Sequence, residues 1–449
     1  MADRKDQSRE VWGERAGAAV VGLAALTFVI VIGSTFWPGL MTRDSLVHYR
    51  QGFSGSYSNI FPPLGSMLMG GSGRLFGSPG PFFIAQLCAI AGAFFALARG
   101  AARSGRWVSS TLVALIAFST PHVWSLANTL WKDIFMAAAL LVALALLQRR
   151  RWIPAFACVV LAALFRHNAL LAGGPLLAYA TLRAYPRWRV RVTAFVVAMA
   201  SLVVVPKLVE VAVGAKDVWP FGAIAAYDLG GLLGGNRALW RGSPIQQFTT
   251  KRNLARRFRP CVANRIVSDG MGIPGMQYGE LVANREVLQA EWTRVVKARP
   301  DLYLRHRLET YACATGWVNP ENVMKYASEG KANEFGLRWE TKAPRFRWLI
   351  KQRNELHAAG LVPVPFQWGV VLAVLGVIAV ATRRWLAFAA VLSGLAYAAG
   401  YVPASASAEL RYFFWDIVVV FATLLLLLER RADVGAVAND AATSDSNTT

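Results

Sequence analysis

The chain has 449 residues, of which 55% are hydrophobic and 16% charged, and its mean hydropathy is +0.37. This composition excludes an ordinary water-soluble domain, which carries more charge and fewer apolar residues. The formal net charge of +22 would suggest nucleic-acid binding in a soluble protein. Here the arginines cluster between apolar blocks, so we attribute them to membrane orientation and expect no nucleic-acid partner.

The apolar blocks have the length that a helix needs to cross a bilayer, and they predict an all-α polytopic membrane protein. Residues 1–213 would form an N-terminal transmembrane module, residues 214–365 an extracytoplasmic helical domain, and residues 366–432 the C-terminal membrane helices. Residues 433–449, rich in Ala, Asp, Ser and Thr, would be a disordered cytoplasmic tail. The predicted membrane helices cover residues 18–37, 81–98, 107–125 with a bend near Pro121, 134–147, two short helices within 152–182, 192–213, 366–381, 386–401 and 412–428.

The basic loops fix the predicted orientation. Arg149–Arg151 and Arg183–Arg191 should both be cytoplasmic, so an even number of crossings must separate them. The segment between them is therefore expected to form two short helices that turn at Arg166-His167-Asn168 on the outer side. The complete reading has about ten crossings with both termini in the cytoplasm.

Two long polar segments remain outside the predicted membrane helices. Residues 38–80, rich in Gly, Ser and Pro, would be a long first outer loop with a helix lying in the membrane interface. The segment 214–365 has helical patterning at Gly279–Val296 and Pro344–His357, and Pro344 suits a first helical position. It also contains Cys261 and Cys313, for which a disulfide and two free thiols both remain open.

The predicted topology brings polar residues from four separate loops to the outer side of the membrane. Ionisable groups at membrane depth are costly, so they usually pair with one another or serve a function. Each group also has a structural alternative: helix capping, anchoring at the interface, or a rim ion pair of little energetic weight. The residues are Asp44, Ser45 and His48 after the first helix, Lys132 and Asp133 at the fourth, Arg166, His167 and Asn168 at the short-helix turn, and Glu409, Arg411 and Tyr412 before the last.

This set of side chains is suited to group transfer from a lipid-phosphate donor. A carboxylate such as Asp44 can take the proton of an acceptor hydroxyl. Arg and Lys side chains at headgroup level can stabilise a phosphate leaving group. His48 and His167 could relay a proton or position a hydroxyl by hydrogen bonding.

Five short motifs are spread over residues 37–412. They are Trp37-Pro-Gly with Arg43-Asp-Ser45, Gln51, Tyr57-Ser-Asn59 and Pro62-Pro63; Leu130-Trp-Lys-Asp-Ile134; Phe165-Arg-His-Asn168; Arg299-Pro-Asp-Leu-Tyr303 with Arg305-His-Arg307; and Ser407-Ala-Glu-Leu-Arg-Tyr412. Each motif alone is short and degenerate, but their order along the chain resembles that of bacterial integral-membrane GT-C glycosyltransferases of the glycosyltransferase 39-like kind.

The resemblance implies a GT-C-like fold and transfer of a sugar from a polyprenyl-phosphate donor to a glycan, lipid or protein acceptor. It gives Asp44 the role of base and makes Lys132, Arg166 and Arg411 ligands of the donor phosphate. Tyr57 and the other polar residues named above would support them. Phe61 stands where the family pattern often has His, so a metal or hydrogen-bonding role of that His is not carried over. No cofactor is assigned with certainty and no metal ligand is named, and the sequence leaves open whether a divalent cation takes part.

Two other classes of function compete with the transferase. A lipid or polysaccharide transporter would place polar residues along the membrane midplane and use paired broken helices. A non-catalytic assembly subunit of cell-envelope glycan synthesis would keep the fold without the chemistry. All three readings place the chain in a bacterial inner membrane, among membrane lipids.

Overall fold

The computed structural model describes residues 2–323 and 333–429, without the side chains of residues 2–11 and 322. It is 75% helix, and the described residues form no β-strand, which confirms the predicted all-α class. The tail predicted to be disordered, residues 433–449, lies outside the described residues.

The α-helices of the described residues form two groups along the chain, one before residue 214 and one after it. The first group is α1 (Ala2–Phe36), α2 (Arg43–Ser54), α3 (Pro63–Phe76), α4 (Gly80–Ala101), α5 (Trp107–Ser119), α6 (Pro121–Ala127), α7 (Lys132–Gln148), α8 (Trp152–Phe165), α9 (Ala169–Ala184) and α10 (Trp188–Ala212). The second is α11 (Gly222–Gly235), α12 (Arg237–Trp240), α13 (Lys251–Arg257), α14 (Asn264–Val267), α15 (Arg285–Ala298), α16 (Pro300–Ala314), α17 (Pro344–Ala358), α18 (Pro365–Ala381), α19 (Trp385–Ala399), α20 (Tyr401–Ala404) and α21 (Phe414–Leu428).

Five helical runs in the described part of the chain are long and apolar enough to cross a membrane. Shorter apolar helices lie at α8 and α18. These runs support a membrane protein, whereas the count of about ten crossings stays a prediction. The five runs are Trp12–Phe36, Gly80–Ser119, Trp188–Ala212, Trp385–Ala404 and Leu410–Leu428.

Several predicted boundaries move for identifiable reasons. α1 begins at Ala2 rather than near residue 18, because polar helix formers continue the helix beyond its apolar block. The helix predicted over 107–125 is two helices rather than one bent helix. Thr120 takes an extended conformation (φ −65°, ψ 123°) before Pro121, which starts α6. The last helix likewise begins at Phe414 and not at residue 412, after a 3₁₀ turn over Leu410–Phe413.

The two short helices predicted within 152–182 are present as α8 and α9. They meet at Arg166, whose extended backbone (φ −155°, ψ 129°) ends α8. The first loop contains two helices, α2 and α3, where the sequence predicts one. The backbones of α2 and α3 touch at Gly52 and Gly70. The contact is so close that a Cβ on Gly52 would overlap the carbonyl of Ser66.

A second hydrophobic core lies in the segment between α10 and α17, formed around side chains such as Tyr227, Leu254 and Ile266. Inside it the carboxylate of Asp228 is fully buried and accepts hydrogen bonds from Arg307, from His306 at 3.1 Å and from Trp292 at 2.9 Å. Three donors compensate the buried charge, so this cluster fixes α11, α15 and α16 relative to one another.

Two predictions in this segment have different outcomes. The helix expected over Gly279–Val296 begins only at Arg285, because residues before it form turns that hydrogen-bond to Glu280 and Asp269. Pro344 occupies the first helical position of α17, as predicted.

Cys261 and Cys313 form a disulfide with Cα atoms 6.2 Å apart, which decides between the two alternatives left open by the sequence.

Candidate functional site

Backbone hydrogen bonds tie the segment after α1 to the turn before α7. The amide of Leu40 donates to the carbonyl of Asn128 at 2.8 Å, and the amide of Leu130 donates to the carbonyl of Leu40 at 3.0 Å. α2 and α7 therefore start side by side. This places Asp44, in the first turn of α2, near Lys132, the first residue of α7.

The second core positions the loop before α21 in the same way. The amide of Ala263 donates to the carbonyl of Ala406 at 3.0 Å, and the amide of Ala408 donates to the carbonyl of Cys261 at 3.2 Å. Because Cys261 is also disulfide-bonded, the loop is held against a cross-linked framework. The loop carries Arg411 in its final 3₁₀ turn.

Arg411 joins two carboxylates from different parts of the chain. Its Nη2 lies 2.5 Å from Oδ2 of Asp44, and its Nε donates to Glu409. The Arg411 side chain is 6% exposed and that of Asp44 is 39% exposed. The guanidinium also lies 4.9 Å from the Trp131 ring centroid and 5.3 Å from that of Tyr412, within cation–π range. Of the three ion-paired side chains, that of Asp44 is therefore the most exposed to solvent.

The surroundings of Asp44 favour its charged form. Burial by itself raises the pKa of this carboxyl, but the positive charges of Arg411 and Lys132 and the hydrogen bond from Arg411 outweigh it. The net effect holds the pKa of Asp44 well below its ordinary value. Asp44 is thus ionised at any physiological pH and can accept a proton without first losing one.

Arg166 and Asp133 form a buried ion pair beside this arrangement. Their side chains are 10% and 1% exposed. The Arg166 guanidinium also donates to the Tyr401 hydroxyl at 2.6 Å and lies 5.3 Å from the Tyr412 ring centroid. The Tyr412 ring is thus within cation–π range of both Arg166 and Arg411.

Lys132, whose charge also acts on Asp44, meets Phe61 in a cation–π contact. The Lys132 ammonium lies 3.9 Å from the centroid of the Phe61 ring, which stacks on His48 at 4.3 Å. His48 pairs with the Ser66 hydroxyl at 2.8 Å. Burial and the charge of Lys132 lower the pKa of His48 to about 3, so its ring is neutral at pH 7.

The structure brings together most of the predicted site residues. Asp44, His48, Lys132, Asp133, Arg166, Glu409, Arg411 and Tyr412 form one cluster, which we call the Asp44 cluster, at what we call the Asp44 end of the helices.

Four predicted site residues make other contacts. Ser45 accepts a hydrogen bond from the amide of Thr42 at 3.4 Å and so caps its own helix, which was the structural alternative for this residue. Asn168 is the N-cap residue of α9. The contact recorded for Tyr57 is through its backbone carbonyl, which accepts from Lys216.

His167 turns away from the cluster toward α10. Its Nε2 lies 3.8 Å from Glu210, which also binds Lys207 at 3.0 Å. The ring is thus half-exposed beside a separate ion pair. A proton relay from His167 to Asp44 gains no support from this position.

The sequence assigned no site role to three residues near the cluster. Trp131 and Tyr401 supply the ring face and the hydroxyl that hold the two arginines. The position of Trp131 directly before Lys132 was an available signal, whereas no motif marks Tyr401. Asp416 is 1% exposed in α21, and neither carboxylate oxygen has a hydrogen-bond partner among the described residues. An acid inside an apolar run was its signal.

No group of three or more His, Cys, Asp or Glu side chains in the described ranges is arranged to hold a metal ion. In the Asp44 cluster the Arg411 guanidinium occupies the position between Asp44 and Glu409 that a cation would take. In comparisons with known proteins, no family model, no curated protein and no solved structure matches the chain.

Proposed function

We propose that the chain is a GT-C-type membrane glycosyltransferase that moves a sugar from a polyprenyl phosphate to an extracytoplasmic glycan, lipid or protein acceptor. The observation that carries the proposal is the partly exposed Asp44 carboxylate near Lys132 at one end of a bundle of apolar helices. An acid and a cation at that depth can meet a lipid phosphate and a water-soluble hydroxyl together.

The pairing of charges favours Asp44 and Lys132 as the groups that act on substrate. Arg166 is paired with Asp133, and Arg411 is shared by Glu409 and Asp44. Lys132 makes no ion pair within 4.0 Å in the described part of the chain, and its recorded contact is with the Phe61 ring. One guanidinium thus serves two carboxylates, of which Asp44 is the more exposed, so we assign the acceptor to Asp44 and the donor phosphate to Lys132.

In the proposed reaction the acceptor oxygen attacks the anomeric carbon of the sugar and its proton passes to Asp44. The bond between that carbon and the phosphate oxygen breaks, and the polyprenyl phosphate leaves with the electron pair. Lys132 stabilises the negative charge that develops on the leaving phosphate. A carboxylate with a lowered pKa is a weak base, which suits a transition state in which the leaving bond breaks early and the proton moves late.

Arg166 and Arg411 have a positioning role at this site. Each is nearly buried and holds aromatic rings and carboxylates in place, so we assign the direct phosphate contact to Lys132. Arg411 keeps the Asp44 carboxylate oriented. This narrows the three donor-phosphate residues named from the resemblance to one direct ligand and two supporting cations.

Membrane vesicles containing the chain test the proposal with a panel of polyprenyl-phosphate hexoses and pentoses. Asp44→Asn should reduce transfer by at least about a hundred-fold, because general-base catalysis contributes a factor of that order. The matched control is Asp269→Asn, which removes an exposed acid from a long 3.5 Å pair with Arg43, next to Asp44 in sequence. It should stay within two-fold of the wild type. Transfer by Asp44→Asn at the wild-type rate would exclude the assigned base.

A further inference from the structure

Two turns at the end of the bundle opposite the Asp44 end share one sequence and one geometry. Arg150-Arg-Trp152 joins α7 to α8, and Arg383-Arg-Trp385 joins α18 to α19. The first arginine has φ of +56° in one turn and +54° in the other. The second has φ/ψ of −88°/79° and −90°/78°.

The left-handed position of these turns argues for a role of the arginine side chains. Gly is the usual residue where a helix ends in this conformation, because it lacks the Cβ that is crowded there. Both turns nevertheless place Arg at it. The backbone requirement alone does not explain this choice, so the charged side chain has to be considered.

Both turns line one cavity of about 480 Å³, together with α9 and the end of α21. Four arginines and one acid contribute to the lining, which gives the cavity a clear positive excess. Two tryptophans and a tyrosine add ring surfaces. The polar and aromatic lining residues are Arg150, Arg183, Arg383, Arg384, Trp152, Trp385, Tyr179 and Glu429.

A second cavity begins at the same tryptophan. It has a volume of about 530 Å³, lies between α8, α9 and α10, and is lined mainly by apolar side chains such as Phe156, Leu177 and Val197. Trp152 lines both cavities. A basic cavity thus adjoins an apolar groove. The basic cavity lies about 24 Å from the Asp44 end, since the 16 residues of α9 rise about 1.5 Å each.

We propose that these two cavities bind one anionic phospholipid, with its phosphate among Arg150, Arg183 and Arg383 and an acyl chain in the groove beyond Trp152. Guanidinium groups bind phosphate oxygens through charge-assisted hydrogen bonds. The adjoining apolar groove distinguishes a lipid from a free phosphate, which would leave that groove without an occupant. The site is separate from the Asp44 cluster and does not depend on the transferase activity.

Native mass spectrometry of the detergent-solubilised full chain tests this site by titration with phosphatidylglycerol, phosphatidylcholine and glycerol 3-phosphate. Phosphatidylglycerol should be retained at least about ten-fold better than phosphatidylcholine, because both carry the phosphate but the arginines repel the choline cation of phosphatidylcholine. Glycerol 3-phosphate, the headgroup without chains, should not displace it.

The double variant Arg150→Gly/Arg383→Gly should lose this preference while folding at least as well, because Gly is favoured at both left-handed positions. The control Arg149→Gln/Arg187→Gln removes the same charge from exposed residues outside the cavity lining and should keep it. Equal loss in both double variants would mean that only net charge matters and would overturn the site. Displacement by glycerol 3-phosphate would overturn the lipid as its occupant.

Discussion

At the scale of single residues, the contacts of Phe61 show what this ring does at the position where the motif resemblance would place a His. A His at this position could have held a metal or a hydrogen bond. The Phe ring instead lies against the Lys132 ammonium and stacks on His48. The ring therefore gives the Lys132 amine an aromatic contact, which the sequence alone does not reveal.

His48 should make the stability of the protein depend on pH. Its pKa is about 3 in the folded protein, against about 6.5 in an unfolded chain. Below pH 6.5 the unfolded state binds a proton that the folded state does not, so stability is lost as the pH falls from 6.5 toward 3. The contribution is about 1.4 kcal/mol per pH unit within that window.

Thermal unfolding in detergent at pH 7.5 and pH 5 measures this effect. His48→Asn keeps a donor for Ser66 and removes the titrating ring, so its unfolding midpoint should fall less between the two pH values than that of the wild type. An identical fall in both proteins would show that His48 does not carry the dependence, whatever the midpoint of the variant itself.

At the scale of elements, the sequence predicted the helices and helix ends that hydrophobic periodicity, prolines and basic loops encode. The turn at Arg166 between two short helices followed from counting basic loops, and the helix start at Pro344 followed from proline chemistry. The pair α2 and α3 was predicted only as one interfacial helix. Their packing depends on contact between two glycines distant in sequence, which no local pattern records.

Gly52 and Gly71 give a matched test of that packing. Gly52→Ala should destabilise the protein by about 1–3 kcal/mol, because its Cβ would overlap the backbone of Ser66 and force the helices apart. Gly71→Ala, in α3, has open space around its Cβ and should be neutral or stabilising. The unfolding midpoints in detergent measure both. A Gly52→Ala midpoint as high as that of Gly71→Ala would contradict the close approach.

At the scale of the whole molecule, the sequence predicted which loops meet but not how their charges pair. Counting basic loops placed Asp44, Lys132, Arg166 and Arg411 on one side, and they lie in one cluster. Arg166, at the turn between α8 and α9, pairs with Asp133 of α7, and Arg411 pairs with Glu409 in the loop before α21, which backbone hydrogen bonds hold to Cys261 and Ala263. Long-range contacts of this kind leave no local signal.

The central claim is that Asp44 and Lys132 act in the same chemical step. The most direct measurement is the rate of sugar transfer by Asp44→Asn, Lys132→Met and the double variant in the same vesicles. Each single variant should lose about a hundred-fold or more. The double variant should be about as slow as the slower single one, because residues that act as a unit are not additive. Losses that multiply in the double variant, or wild-type transfer by either single variant, would contradict the account.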